Sequence, residues 1–148
     1  MASSTAALEL DSTITSHFAP ELFSPDTISK QASSYASSGP YKHGVVPSLI
    51  SDSLLRSARE EIINELRFAE KETDIYKVNQ TGDLINLDGL PEEERGRLES
   101  LLKVRNAIYS KQFRSWLQAV TGCGPLSAKT KDMSINDYRD GCHLLNHE

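Results

Sequence analysis

Phe113, Trp116, Leu117 and Val120 fall at i, i+3, i+4 and i+7, the spacing that lines one face of an α-helix. Ser110 stands where a helix cap is needed, Gly122 stops the run, and Gly124-Pro125 keeps it from resuming. A second stripe runs through Leu54, Ala58, Ile62, Leu66 and Ala69, widened by Leu55 and Ile63. Ser51 or Ser53 can cap it, and its opposite face carries Arg56, Arg59, Glu60 and Arg67, so an amphipathic surface helix is predicted. Pro91 suits the first position of a third helix, with Glu92, Glu93 and Glu94 at the positive end of its dipole and Leu98, Leu101, Leu102 and Ile108 as its buried stripe. A weaker helix opens at Pro25-Asp26 and runs toward Tyr35. Its serines and alanines leave it little apolar surface to dock, and Ser37-Ser38-Gly39-Pro40 ends it.

The period changes elsewhere. Tyr41 to Ile50, with Val45, Val46, Leu49 and Ile50, reads as a strand that Pro47 confines to an edge. Asp74 to Gln80 reads as a short strand through Ile75, Tyr76 and Val78, and Thr81-Gly82-Asp83 turns the chain. Lys129 to Arg139 and Cys142 to His147 read as two strands joined by the turn Asp140-Gly141. Helices first and strands last point to an α+β layout, with helices packed on one side of a sheet. Residues 1–15, rich in serine, threonine and alanine, read as a disordered tail, and residues 16–148 as the folded domain.

A chain of 148 residues with 38% hydrophobic and 25% charged residues can bury one core. The formal net charge of −5 argues against nucleic acid as a direct partner and leaves a basic protein open. Cys123 and Cys142 form no disulfide framework, and the opening residues have neither an apolar core nor the arginines of an import signal. No apolar run reaches the roughly 20 residues that span a bilayer. A nuclear and cytoplasmic protein is expected, with no membrane partner; composition says nothing of its oligomeric state.

Few residues carry chemistry on their own. His143 and His147 lie four apart, but the following Glu148 is out of order for a helical zinc motif, which places its glutamate beside the first histidine. On a strand, His143, Leu145 and His147 share a face, and taken alone each histidine reads as a core residue bonded to a carbonyl. Tyr138 likewise reads, from spacing alone, as a strand tyrosine filling the core. Cys123 and Cys142 read as packed thiols, Trp116 as core, and His17 and His43 as surface or structural residues.

Four runs together change these readings. They are Glu70 to Leu84 (EKETDIYKVNQTGDL), Leu102 to Ser110 (LKVRNAIYS), Val120 to Ser127 (VTGCGPLS) and Gly141 to His147 (GCHLLNH). In this order, from about His17 to the end, they resemble the Fe(II)/2-oxoglutarate-dependent prolyl hydroxylases that act on a small-subunit ribosomal protein, in their fungal form. The resemblance implies a double-stranded β-helix, a jelly-roll fold whose helices and first strands this chain supplies. It implies that His147 is the first iron ligand of a His-x-Asp pair and that Tyr138 hydrogen-bonds 2-oxoglutarate. It also implies ascorbate as reductant, a ribosomal protein as substrate and a link to translation termination. The expected aspartate after Glu148, the family's distal histidine and its 2-oxoglutarate-binding arginine are not in this sequence. The chain is therefore expected to be an incomplete domain, inactive alone, with no catalytic side chain of its own. The rival expectation is a non-catalytic short product or a protein-interaction module.

Overall fold

The computed structural model describes residues 11–147. Residues 1–10, most of the expected tail, and Glu148 lie outside it. Asp11 to Thr15, also assigned to the tail, instead form a short helix α1 (Ser12–Thr15), with the Asp11 carboxylate accepting the Thr13 N–H.

Three further helices start on serines. Ser24 caps α2 (Pro25–Ser37), Ser51 caps α3 (Asp52–Glu65) and Ser110 caps the helix Lys111–Thr121, each hydroxyl accepting an N–H from the first turn. The strands β1 (Ala69–Glu72) and β2 (Tyr76–Gln80) follow α3, then a 3₁₀ helix (Leu84–Gly89), α4 (Glu92–Gly96), α5 (Glu99–Ile108) and α6 (Lys111–Thr121). Two short strands close the described chain, β3 (Asn136–Asp137) and β4 (His143–Leu144). The result is a mixed helical and antiparallel-sheet fold, as the α+β expectation had it.

Two apolar clusters hold it. The first gathers Phe18, Leu22, Ile50, Ala107, Phe113, Trp116 and Val120. Phe113 stacks between Phe18, at 5.6 Å between ring centroids, and Trp116, at 5.8 Å. The Trp116 indole N–H donates to the Leu22 carbonyl at 2.9 Å, so the ring enters the core without stranding its donor. The second gathers Ala58, Leu84, Leu98 and Leu101, where α3 packs on α5. Gly122 takes the left-handed conformation (φ 71°) that ends α6, one that costs a side chain energy.

Several expectations are corrected. Tyr41 to Ile50 is not a strand: only Ile50 forms a bridge, with Phe18, and Val45 is 72% exposed. Pro40 and Pro47 offer no N–H for a ladder, and the segment instead lays Val46, Leu49 and Ile50 singly against the first cluster. The stripe starting at Leu54 ends with Glu65, and Ala69 belongs to β1, a strand whose four residues are all exposed and which therefore shows no alternation. Leu55 and Ile63 remain exposed. The helix expected from Pro91 to Ile108 is two helices, with Pro91 as the cap of α4 and a break at Arg97-Leu98. The weak helix α2 does dock, packing on α6 through Ile28 and Tyr35 at the edge of the first cluster. Finally, β3 and β4 are not a hairpin; both pair with β2.

Candidate functional site

Strand β2 is the centre of the sheet. One edge pairs with β1, from Ala69 opposite Gln80 to Glu72 opposite Lys77. Along the other edge Asn79 faces Asp137, whereas Lys77 faces His143. Two steps on β2 are thus matched by six on the opposing chain, so four residues are extra and the segment Tyr138–Cys142 leaves the ladder as an excursion. The β2 residue facing that excursion is Val78, only 4% exposed. Extra residues in a strand bend it and re-aim its side chains, which is why such features gather beside binding sites.

The excursion is built from short-range chemistry. The Cys142 N–H donates to the Arg139 carbonyl at 2.9 Å, closing a turn, and Gly141 (φ 85°) supplies the left-handed residue it needs. The Asn79 amide donates to Cys142 Sγ at 3.6 Å, tying the far end back to β2. Arg139 pairs with Asp137 at 2.6 Å and lies over the Phe68 ring, 6.0 Å from its centroid. The same Asp140-Gly141 dipeptide that signalled a hairpin turn makes this turn instead, because both flanking strands have β2 as their partner.

Tyr138 opens the excursion and is 51% exposed. It therefore does not fill the core, the reading its spacing alone favoured. His147 lies just past β4 and is exposed, as are His143, Leu144 and Leu145. Nor are these histidines core residues. The His147 ring is nonetheless oriented: Nδ1 lies 2.9 Å from the Leu145 carbonyl, to which its N–H donates. A carbonyl only accepts, so the bond calls for the proton on Nδ1, and Nε2 makes no hydrogen bond among the described residues. Tyr138 begins the excursion and His147 lies three residues beyond β4, and no hydrogen bond joins them. Among the described residues, no group of three or more His, Cys, Asp or Glu side chains converges on a metal position. Cys123 is exposed and Cys142 half-buried, both as free thiols.

Neither of two neighbouring clefts takes in Tyr138 or His147. One, of about 670 Å³, is lined by Arg67, Asp83, Leu87, Glu94 and Arg97 among others. Within it Arg97 pairs with Glu65, and Arg97 also reaches Glu93 on α4. An apolar cleft of about 430 Å³ between α3 and residues 133–137 approaches Tyr138 more nearly, with Met133, Ile135 and Asp137 in its wall. Sequence reasoning missed Asn79, Thr81 and Asp83, whose side chains hold the segment before and within the excursion. Asn79 reads as part of a strand and Thr81 and Asp83 as turn formers, and neither signal says what they will bond.

The prolyl 3,4-dihydroxylase OGFOD1 of Ostreococcus tauri is 38% identical over 109 residues, covering 74% of this chain and 21% of that protein. The prolyl 3-hydroxylases of the same name from Xenopus laevis and Mus musculus are 33% and 32% identical over 110 residues, covering 74% of this chain and 19% and 18% of theirs. The chain spans about a fifth of the length of these relatives. No family model matches it.

Proposed function

The chain belongs to the prolyl hydroxylase family of these relatives, and we propose that it carries part of the site of an Fe(II)- and 2-oxoglutarate-dependent oxygenase that hydroxylates a proline in a small-subunit ribosomal protein, with a role in translation termination. Strands β1 to β4 would then belong to a double-stranded β-helix. The observation that carries the reading is the His147 ring. Metal-bound histidines characteristically donate their other N–H to a carbonyl or carboxylate, which fixes the ring and raises the basicity of the ligating nitrogen. His147 makes that bond through Nδ1, and its Nε2 has no partner among the described residues.

The residues present fit the cofactors in kind. His147 would hold Fe(II) through Nε2, with the remaining ligands supplied from outside the described residues. Tyr138, half exposed, would donate to a 2-oxoglutarate carboxylate through its phenol. Bound iron and 2-oxoglutarate supply oxygen activation, with ascorbate as reductant. The chain's own task is to hold the imidazole in one tautomer, orient the carboxylate, and exclude water with Leu144 and Leu145, each about half exposed beside His147. A net charge of −5 favours encounter with a basic ribosomal protein, in the nucleus or the cytoplasm.

The test is succinate release by the natural full-length protein given Fe(II), 2-oxoglutarate, ascorbate and a peptide of the ribosomal protein. His147→Ala is expected to lower the rate by about 100-fold or more and to lower Fe(II) affinity. A variant that keeps its rate and its iron would remove His147 from the site.

A further inference from the structure

We propose that Thr81 and Asp83 are positioning residues for the 2-oxoglutarate site: their side-chain oxygens set the register of the strand that presents Tyr138. This rests on the assignment of Tyr138 under Proposed function.

A backbone ladder repeats, so one carbonyl can replace another if a strand slides. A slide by one residue turns every side chain to the opposite face, and a slide by two moves each along the strand by roughly 7 Å. Beyond β3 the ladder here does not use carbonyls alone. Thr81 N–H donates to the Ile135 carbonyl at 3.0 Å, but the Ile135 N–H returns to the Thr81 hydroxyl, also at 3.0 Å, rather than to the Thr81 carbonyl. The next inward N–H, that of Met133, donates to Asp83 Oδ1 at 3.4 Å, while Leu84 N–H donates to the Met133 carbonyl at 2.8 Å. Two alternate donors, Met133 and Ile135, in the segment leading into β3 are therefore met by side chains that occur once each. A slipped strand would find no equivalent acceptor, and its N–H groups would be left unpaired.

Both residues are held in place for this. Thr81 is 8% exposed, one of the few buried polar side chains among the described residues, and its hydroxyl proton goes to the Gly82 carbonyl at 2.9 Å. That leaves its oxygen to accept. The same Asp83 oxygen also takes the Ile85 N–H at 3.0 Å and so caps the 3₁₀ helix, which makes the turn and the strand share one anchor. Gln80 extends the register outward, donating to Asn136 Oδ1 at 2.8 Å. Tyr138 follows directly on the segment so fixed, at the point where the excursion begins.

The experiment measures 2-oxoglutarate affinity by anaerobic calorimetry on the Fe(II)-loaded full-length protein, alongside amide hydrogen exchange at Met133 and Ile135. Thr81→Val removes the acceptor at nearly constant shape. It is expected to speed exchange at Ile135 and weaken 2-oxoglutarate binding by about tenfold or more, while Thr81→Ser stays near the parent. Combined with Tyr138→Phe, Thr81→Val is expected to add little, because the effect runs through the phenol. Folded Thr81→Val protein that binds within twofold of the parent overturns the proposal. So does equal weakening with and without the phenol, which marks a merely structural role. If Thr81→Val fails to fold, Asp83→Ala carries the same expectation and the same refutation. Parent protein whose affinity does not change on Tyr138→Phe instead overturns the assignment of Tyr138, and the inference falls with it.

Discussion

Tyr109 shows how a single buried atom can set a pH limit. Its hydroxyl is buried and has no hydrogen-bond partner among the described residues. Burial raises its pKa above the ordinary tyrosine value; Asp83 and Asp132 push the same way, and Arg105 opposes them. An acid whose folded pKa exceeds its unfolded one contributes stability that is intact below the unfolded value and lost as pH rises through the folded one. The loss should therefore begin above about pH 10. Tyr109→Phe is expected to leave the melting midpoint at pH 7 unchanged or slightly higher, since it removes an unpaired polar group. Above pH 10 the variant should outlast the parent; a parallel decline in both would show that Tyr109 does not set the limit. None of this was legible beforehand, because Tyr109 is simply one aromatic near the end of a helix until the surrounding carboxylates are placed. Arg105 is a similar case: it lies on α5 among apolar neighbours, yet it donates to the Leu84 carbonyl at 2.9 Å and to Asp88 at 2.7 Å and so ties the 3₁₀ helix to α5.

At the scale of elements, local signals located most helices and missed most joints. Serine caps, the Phe113–Val120 stripe and Gly122 describe α6 almost completely, because each acts within one or two turns of chain. The start of α5 is the opposite case. Its cap position is Leu98, which has no side-chain acceptor to offer. The Glu61 carboxylate reaches across from α3, accepting Ser100 N–H at 2.9 Å and Leu101 N–H at 2.8 Å. That bond explains why the stripe from Pro91 to Ile108 can break where it does: the exposed N–H groups are met from another helix. Glu61→Ala should cost about 1–2 kcal/mol in urea unfolding, the range of a lost cap. Glu61→Gln, which keeps an acceptor but loses the charge, should cost less. Equal losses for both would mean the interaction with the helix dipole outweighs the hydrogen bonds. The strands were harder to read than the helices. β1 has four exposed residues and no alternation, and the pairing of β3 and β4 with β2 is a choice of partner that neither strand's own residues specify.

Across the whole molecule, the two apolar clusters are bridged by shared helices. Leu54 on α3 packs on the first and Ala58 on the second; on α5, Ala107 belongs to the first, Leu101 to the second, and Val104 touches both. A rigid helix cannot leave one cluster without disturbing the other, so a single unfolding transition is expected. Trp116 fluorescence, which reports the first cluster, should change at the same urea concentration as far-UV circular dichroism; separate midpoints would mean the clusters unfold independently. Local sequence was enough for α3 and α6, with their serine caps and apolar stripes, for a strand expected over Asp74–Gln80 and found over Tyr76–Gln80, and, through its runs of family-like residues, for the kinship with prolyl hydroxylases. Each of those depends on neighbours within a few residues or on a string that can be compared directly. Long-range packing alone makes Asp140-Gly141 turn an excursion and not a hairpin, lets Glu61 cap another helix, and brings Thr81 and Asp83 to accept from a segment some fifty residues on. These are pairings between remote donors and acceptors, and a residue's identity states what it can bond to, while the fold alone brings one particular partner within reach.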